Sequence, residues 1–206
     1  MKIENIDRQS AIISIFPKTV YYVKDVLDSN LNLLVDAIHN SQVETIKDTN
    51  LSVNSTHRTF NQLHKVNQFK KLASIIMEHC KKYGSLLGYS DIQLKNLKMT
   101  NMWFNKSDQD DFNFPHTHVG SLFSGAYYLK TSEENKISFH NFSNMNLIPE
   151  NPNNYLNIES WLQCSTNHLL IFQSDLVHSN PRQINTGEKI TISFNIVYEN
   201  LIKEEL

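Results

Sequence analysis

The segment "KITISFNIV", residues 189 to 197, constrains the fold more than any other stretch of the chain. Apolar and polar residues alternate through it, and in an extended chain successive side chains point to opposite faces. One face of this strand is therefore wholly apolar and must pack against something. The apolar residues are Ile190, Ile192, Phe194 and Ile196, and the polar ones are Lys189, Thr191, Ser193 and Asn195.

The polar face of this strand has two interpretations. It faces solvent, as in many half-buried antiparallel strands, or it lines a polar cavity. In the second case Lys189 supplies a positive charge at the deep end, with the Thr191 and Ser193 hydroxyls on the same face. Such a set can hold a carboxylate by charge and by hydrogen bonds. The residues alone leave both interpretations open.

The rest of the chain places helices before strands. Apolar residues at helical spacing predict helices at 29–44 and 67–83, the second ending near Gly84. From residue 92 onward, short β-rich segments alternate with polar turns. This order predicts an α+β, mainly β class, a sandwich or barrel supported by N-terminal helices. The length fits one domain, 1–206, with the helices in 1–91 and the β core in 92–200.

Composition excludes several classes of function. The chain is 40% hydrophobic and 19% charged, which is typical of a soluble globular protein. Its net charge of -2 gives no reason to expect nucleic acid as a partner. No apolar run is long enough for a secretory signal or a membrane span, so we expect a cytoplasmic protein. Cys80 and Cys164 do not make a disulfide framework, and a homodimer is left open.

Three of the nine histidines stand out. His116 and His118, in "NFPHTHVGSLFSGAYYL", lie on the same side of an extended chain, where two imidazoles suit a metal or simply mark the entrance of a strand. His178 follows an apolar strand and a turn and precedes a proline-containing loop, a position where ligand sites are often built. His140 also lies in the predicted β region and is a reserve metal ligand.

Taken in order, "HTH", "SGAYYL", "KISFHN", "LLIFQSDLVHSNP" and "EKITISFNIV" resemble the Fe(II)/2-oxoglutarate-dependent oxygenases, most closely a group found in bacteria and phages. The resemblance covers roughly residues 95–199. It implies a double-stranded β-helix, a cupin-like jelly-roll barrel whose mouth holds the iron. It also implies an enzyme that hydroxylates its substrate with O2 and 2-oxoglutarate, releasing succinate and CO2.

The resemblance also implies roles for individual residues. His116 and His118 match the His-x-His of the family and His178 its distal histidine, so these three would be the catalytic Fe(II) ligands. Lys189 and Thr191 match the Arg-x-Ser pair that would hold the distal carboxylate of 2-oxoglutarate. The matched cofactor positions are, in chain order, Tyr128, Lys189, Thr191, Ser193 and Asn195.

The chain departs from the family pattern at three positions. Most of the wider superfamily has Asp or Glu where this chain has His118, so either all three ligands are imidazoles or His118 lies behind the ligands and does not bind the metal. Lys189 replaces arginine, which keeps the positive charge but gives up the bidentate fork. Gln173 stands where the family often has proline.

Two other functions compete with this one. A cupin-type metalloprotein shares the barrel and the His-x-His, but usually adds a glutamate shortly after it, where this chain has "VGSLFSG". A non-catalytic binding module on the same barrel is the second alternative. A small molecule or a peptide remains open as substrate, and the segments 104–115 and 143–160 are expected to border the mouth.

Overall fold

The computed structural model describes residues 2–5, 11–14, 18–28, 30–47, 53–131, 135–141, 158–184 and 187–199. Its helices are α1 (Asn32–His39), α2 (Lys70–Leu86) and α3 (Asp91–Lys95), and two 3-10 turns precede α2 at Leu63–Lys65 and Asn67–Phe69. Its strands are β1 (Lys2–Asn5), β2 (Ala11–Ser14), β3 (Val20–Val23), β4 (Ile46–Lys47), β5 (Asn54–Ser55), β6 (Leu97–Ser107), β7 (Asn113–His116), β8 (Phe123–Lys130), β9 (Lys136–His140), β10 (Glu159–Gln163), β11 (His168–Gln173), β12 (His178–Asn180) and β13 (Lys189–Tyr198). The predicted α+β, mainly β class is confirmed.

The strands form two main antiparallel sheets. The larger has the order β3-β11-β8-β13-β6-β5-β4 and the smaller the order β10-β9-β12-β7, while β1 and β2 pair separately. Side chains of the two sheets meet in a buried cluster that includes Tyr128, Phe139 and Phe172. The two sheets thus pack face to face as in a double-stranded β-helix, the predicted jelly-roll architecture.

The two faces of β13 have different surroundings. Ile190, Ile192, Phe194 and Ile196 are all 0% exposed and belong to the core that the large sheet shares with α1 and α2. On the opposite face Lys189 is 6% exposed and Asn195 8% exposed, so this face is turned away from solvent. Of the two interpretations of the polar face, the cavity-lining one is therefore confirmed.

The helices differ from their predicted bounds. The first is shorter than 29–44, and residue 29 lies outside the described part of the chain. The second continues through Gly84 to Leu86, so the prediction that Gly84 ends it was wrong. The helix ends instead at Leu86, and Gly88 just beyond it has a φ of +92° that suits glycine. Gly88 N–H donates to Ser85 O and Tyr89 N–H donates to Gly84 O, which satisfies two carbonyls of the last turn.

Two further sequence expectations can be compared with the described residues. Cys80 and Cys164 are both buried and free, which confirms that they form no disulfide. Within the described ranges, no helix is long and apolar enough to cross a membrane. Of the expected mouth segment 143–160, residues 143–157 lie outside the described ranges.

A single methyl group added at Gly125 is expected to lower the stability of the fold strongly. In β8 it lies opposite Phe194, and a Cβ atom added there would be 2.2 Å from the Leu170 backbone oxygen and 2.4 Å from the Phe194 ring. Because a strand carbonyl cannot move away cheaply, we expect Gly125→Ala to lower the free energy of unfolding by about 3 kcal/mol or more. Urea denaturation measures this change.

Gly84→Ala is the matched control. Its Cβ would come closer than 3 Å to the end of the Leu94 side chain, at 2.6 Å, and would otherwise make ordinary contacts with the Phe123 ring at 3.5 Å or more. Alanine also favours the helix by about 1 kcal/mol over glycine. We therefore expect a much smaller change in unfolding free energy than for Gly125→Ala. Equal losses in the two variants would contradict the assignment of the effect to the backbone clash at Gly125.

Candidate metal centre

Three histidines from two strands and a loop converge at the mouth of the barrel. Strand β7 ends at His116 and β12 begins at His178, and these two residues are direct partners in the antiparallel register. His118 follows two residues after His116, and its backbone N–H donates to Ser174 O at 3.0 Å. One ligand nitrogen of each ring lies within 4.8 Å of the other two. The strand pairing therefore brings together residues that are about 60 positions apart.

Backbone carbonyls set the tautomer of two of these rings. His116 Nδ1 lies 2.8 Å from Phe114 O, and His178 Nδ1 lies 2.9 Å from Leu176 O. Because a carbonyl oxygen only accepts, each Nδ1 carries the proton and each Nε2 keeps a lone pair. Metal-ligating histidines commonly donate their other ring N–H to a carbonyl in this way.

The protein environment keeps the two more buried rings neutral. Burial, and then the neighbouring His116, lowers the pKa of His178 to about 3. Burial and His116 likewise lower the pKa of His118 to about 4, with hydrogen bonding to Asn195 acting in the opposite direction. A buried imidazolium would cost desolvation energy and would face another ring. Both lone pairs are therefore available at neutral pH.

The geometry fits a late first-row divalent ion. His118 Nε2 lies 3.3 Å from His178 Nε2, close to the roughly 3 Å between two adjacent nitrogen ligands that are each about 2.1 Å from one ion. Among the described residues, the cluster contains three histidines and no carboxylate. His140 Nε2 instead pairs with Ser179 Oγ at 2.8 Å, outside the cluster.

A narrow cavity of about 50 Å³ extends from the triad along the polar face of β13. Tyr128 and Thr191 line it, and the buried Tyr128 hydroxyl interacts with the Cys164 thiol, a weak hydrogen-bonding group. Lys189 is not in the lining, but its Nζ lies 5.7 Å from the centre of the Tyr128 ring. Burial lowers the pKa of Lys189 to about 8. Within the described chain no carboxylate pairs with this buried ammonium, so an anion that reached it would gain a charge partner.

Ser193 and Asn195, the other predicted cofactor residues, lie in different surroundings. Ser193 lines the narrow cavity, and its hydroxyl accepts a hydrogen bond from Asn105 Nδ2 at 3.0 Å. Asn195 lies beside His118 and lines a second, wider cleft of about 470 Å³ that also reaches the triad. The polar face of β13 thus lines two separate spaces, the narrow cavity and the wider cleft.

The structure adds residues to the site that the sequence reasoning missed. Trp103 lines both spaces and packs between the rings of His57 and His118, with centroid distances of 4.5 and 6.1 Å. Alternation in β6 was an available signal, since Trp103 and Asn105 lie on the face opposite Met102 and Phe104. The same spaces are also lined by Asn113, Asn180 and His57. No pattern in the neighbouring sequence predicts that these three residues belong to the site.

Comparisons with known proteins agree with this arrangement. A family model described as "Putative 2OG-Fe(II) oxygenase" matches residues 101–195. This range contains all three histidines and every predicted cofactor residue. No curated protein matches the chain.

Solved structures with similar folds come from the same superfamily. SnoN, a non-heme alpha-ketoglutarate-dependent epimerase from nogalamycin biosynthesis, has a TM-score of 0.63 and 12% identity, covering 87% of this chain and 76% of its own. A 2OG-Fe(II) oxygenase family oxidoreductase from Burkholderia pseudomallei has a TM-score of 0.60 and 12% identity, covering 88% and 86%. HygX from Streptomyces hygroscopicus, crystallised with nickel, 2-oxoglutarate and hygromycin B, has a TM-score of 0.58 and 11% identity, covering 87% and 83%. Residues 101–195 are thus similar in sequence to the 2OG-Fe(II) oxygenase family, and the fold of the chain is similar to the folds of these three proteins.

Proposed function

We propose that this protein is a non-haem Fe(II)- and 2-oxoglutarate-dependent oxygenase that hydroxylates its substrate. One observation carries the proposal: three converging histidine nitrogens lie beside a cavity, and behind its lining residue Tyr128 lies a buried lysine with no carboxylate partner among the described residues. The histidines provide a metal site and the lysine an anion site. The distance between them is spanned by the polar face of a single strand, β13.

In this proposal His116, His118 and His178 hold Fe(II) through their Nε2 atoms. The Phe114 and Leu176 carbonyls orient two of the rings. The iron and 2-oxoglutarate together supply the oxidising chemistry when O2 is present. The chain itself holds and orients the metal-binding rings.

Lys189, Thr191 and Tyr128 hold the distal carboxylate of 2-oxoglutarate in this proposal. The ammonium supplies the charge, and the two hydroxyls supply hydrogen bonds. The burial of the Tyr128 hydroxyl supports this role, because its described partner is the weakly hydrogen-bonding Cys164 thiol and a carboxylate would be a stronger acceptor. The cavity of about 50 Å³ is narrow, so a five-carbon diacid would have to displace some of its lining side chains.

The substrate, a small molecule or a peptide, would approach through the wider cleft. Its described lining consists of apolar, hydroxyl, amide and imidazole side chains, with Trp103 next to His118. It therefore complements a substrate segment that is polar and without formal charge. HygX with hygromycin B and a Trichoplax adhaerens prolyl hydroxylase with a peptide fragment are similar folds that bind a small molecule and a peptide.

An anaerobic titration with Fe(II), before and after 2-oxoglutarate is added, tests the proposed function. We expect a metal-to-ligand charge-transfer band only when both are present. Metal binding without this band, and without 2-oxoglutarate affinity, would instead favour the cupin-type metalloprotein. Binding of neither would favour a non-catalytic module. At present the buried Lys189 and the lack of a carboxylate after the His-x-His weigh against the cupin-type function.

The lowered pKa of Lys189 predicts a pH dependence of 2-oxoglutarate binding. The pKa of this group is about 8 in the ligand-free protein, and only the ammonium form attracts the carboxylate. Above pH 8 the charged fraction falls tenfold per pH unit, so we expect the dissociation constant to rise by about tenfold per unit. Below pH 8 it should level off. Anaerobic titrations from pH 6.5 to 9.5 measure this.

Lys189→Arg is the control for the pH dependence. Because arginine stays protonated to about pH 12 or above, its 2-oxoglutarate affinity should change little between pH 7 and 9.5. The same loss of affinity at alkaline pH in both proteins would assign the titration to another group.

A further inference from the structure

We propose that Asn195 is a positioning residue for His118, accepting a hydrogen bond from its Nδ1–H and so directing its Nε2 to the metal. This inference rests on the proposed metal site and assigns Asn195 a role other than contact with 2-oxoglutarate. It concerns the one histidine of the triad that has no backbone carbonyl bonded to its ring among the described residues. Its two partners are held by Phe114 O and Leu176 O.

The backbone places Asn195 and the His118 segment side by side. His118 N–H donates to Ser174 O at 3.0 Å, and Ser174 N–H donates to Leu122 O at 3.1 Å. Leu122 N–H then donates to Ile196 O at 2.8 Å, next to Asn195 on β13. These bonds tie the start and the end of the 118–122 loop to the barrel. His118 and Asn195 accordingly line the same cleft.

Two buried serines orient the Asn195 amide. The Ser124 hydroxyl donates to Asn195 Oδ1 at 2.9 Å and lies 2.7 Å from the Ser174 hydroxyl. Ser124 is 0% exposed and Ser174 2% exposed, so neither hydroxyl has water as an alternative partner. The Ser124 hydroxyl therefore fixes the orientation of the amide, because of the two amide atoms only Oδ1 can accept its hydrogen bond.

Ring chemistry then determines what Asn195 can do. His118 Nε2 faces His178 Nε2 at 3.3 Å, which leaves Nδ1 as the nitrogen available to Asn195. An amide oxygen has two lone pairs, so Oδ1 can accept from Ser124 and from His118 Nδ1–H together. With the proton held on Nδ1, the Nε2 lone pair points to the metal. Without this acceptor the proton can move to Nε2, where it blocks ligation.

Zinc binding and histidine NMR of the same samples test the role of Asn195. Zinc is diamagnetic and is held by imidazole nitrogens in many proteins. In the parent we expect His118 to carry its proton on Nδ1 and to bind zinc through Nε2, as seen in long-range ¹H–¹⁵N spectra. Asn195→Leu should weaken zinc binding by about 10- to 100-fold, the usual cost of removing a group that orients a ligand. It should also abolish the His118 Nδ1–H signal.

Conservative variants separate positioning from general damage. Asn195→Asp keeps an acceptor at the same place, so it should retain zinc affinity close to the parent's and the Nδ1–H signal. Ser124→Ala leaves Asn195 in place but removes its orienting donor, and should shift both readouts in the same direction by a smaller amount. Asn101→Leu is the matched control, because Asn101 lies opposite Asn195 in the register and lines the same cleft. It should leave both readouts unchanged.

The outcomes distinguish this inference from the proposed function. Suppose that the parent binds zinc. If Asn195→Leu then binds zinc equally well, or if Asn101→Leu loses as much zinc affinity as Asn195→Leu, only the role of Asn195 is overturned. A parent that binds no zinc overturns both, since His118 then has no metal to be directed to. If Asn195→Leu fails to fold, the other two variants test the inference. An unchanged His118 Nδ1–H signal in Ser124→Ala would overturn it, and so would the loss of that signal in Asn195→Asp.

Discussion

Lys189→Ala is expected to weaken 2-oxoglutarate binding by two to three orders of magnitude and to leave iron binding intact. The ammonium is buried, and in the described chain it has no carboxylate partner. Removing one partner of a desolvated ion pair costs about 3–5 kcal/mol, which is about two to three orders of magnitude in a dissociation constant. Because Lys189 is not in the histidine cluster, metal affinity should not change. The measurement is the anaerobic dissociation constant of 2-oxoglutarate.

Two variants control for charge and for volume. Lys189→Met removes the charge but keeps an unbranched chain, so it should lose 2-oxoglutarate affinity as Lys189→Ala does. It should also be at least as stable as the parent, because a buried unpaired charge no longer has to be desolvated. Lys189→Arg should keep much of the affinity if the pocket accepts the larger guanidinium. A dissociation constant for Lys189→Ala equal to the parent's would show that the cofactor is held elsewhere or not at all.

The largest effect on metal binding is expected from the histidines themselves. His116→Ala, His118→Ala and His178→Ala should each weaken Fe(II) or zinc binding by more than about 100-fold, since removing even a group behind a ligand costs about 10- to 100-fold. The decisive comparison is His118→Ala with His178→Ala. Equal losses would make His118 a ligand, and the site all-imidazole. A loss of only about 10- to 100-fold in His118→Ala would place His118 behind a two-histidine site, and unchanged metal affinity would remove His118 from the metal site altogether.

His140→Ala is the matched control for these variants. It removes a half-buried imidazole from the adjacent strand β9, where His140 bonds Ser179 rather than the cluster. Metal affinity should therefore stay at the parent's value. A loss comparable to that of His178→Ala would restore His140 as a ligand and contradict the triad proposed above.

Local patterns in the sequence anticipated much of the fold and of the candidate site. The alternation in 189–197 predicted a strand with one buried apolar face, because side-chain direction in a strand follows directly from residue order. The His-x-His spacing predicted two imidazoles on one side of the chain for the same reason. The ordered set of motifs indicated the superfamily and the third histidine, His178. All of these are statements about neighbours in the chain or about their order.

Only the tertiary structure decided what each of those faces meets. The smaller sheet packs against the polar side of β13, and the β7–β12 pairing brings His116 to His178. Trp103 and His57 enter the site through the same long-range packing. Local sequence also suggested that Gly84 ends α2, but the helix continues past it, with the Leu94 side chain packed against this glycine. Periodicity specifies which residues share a face, whereas the partner of that face depends on contacts between residues far apart in sequence, which no local pattern encodes.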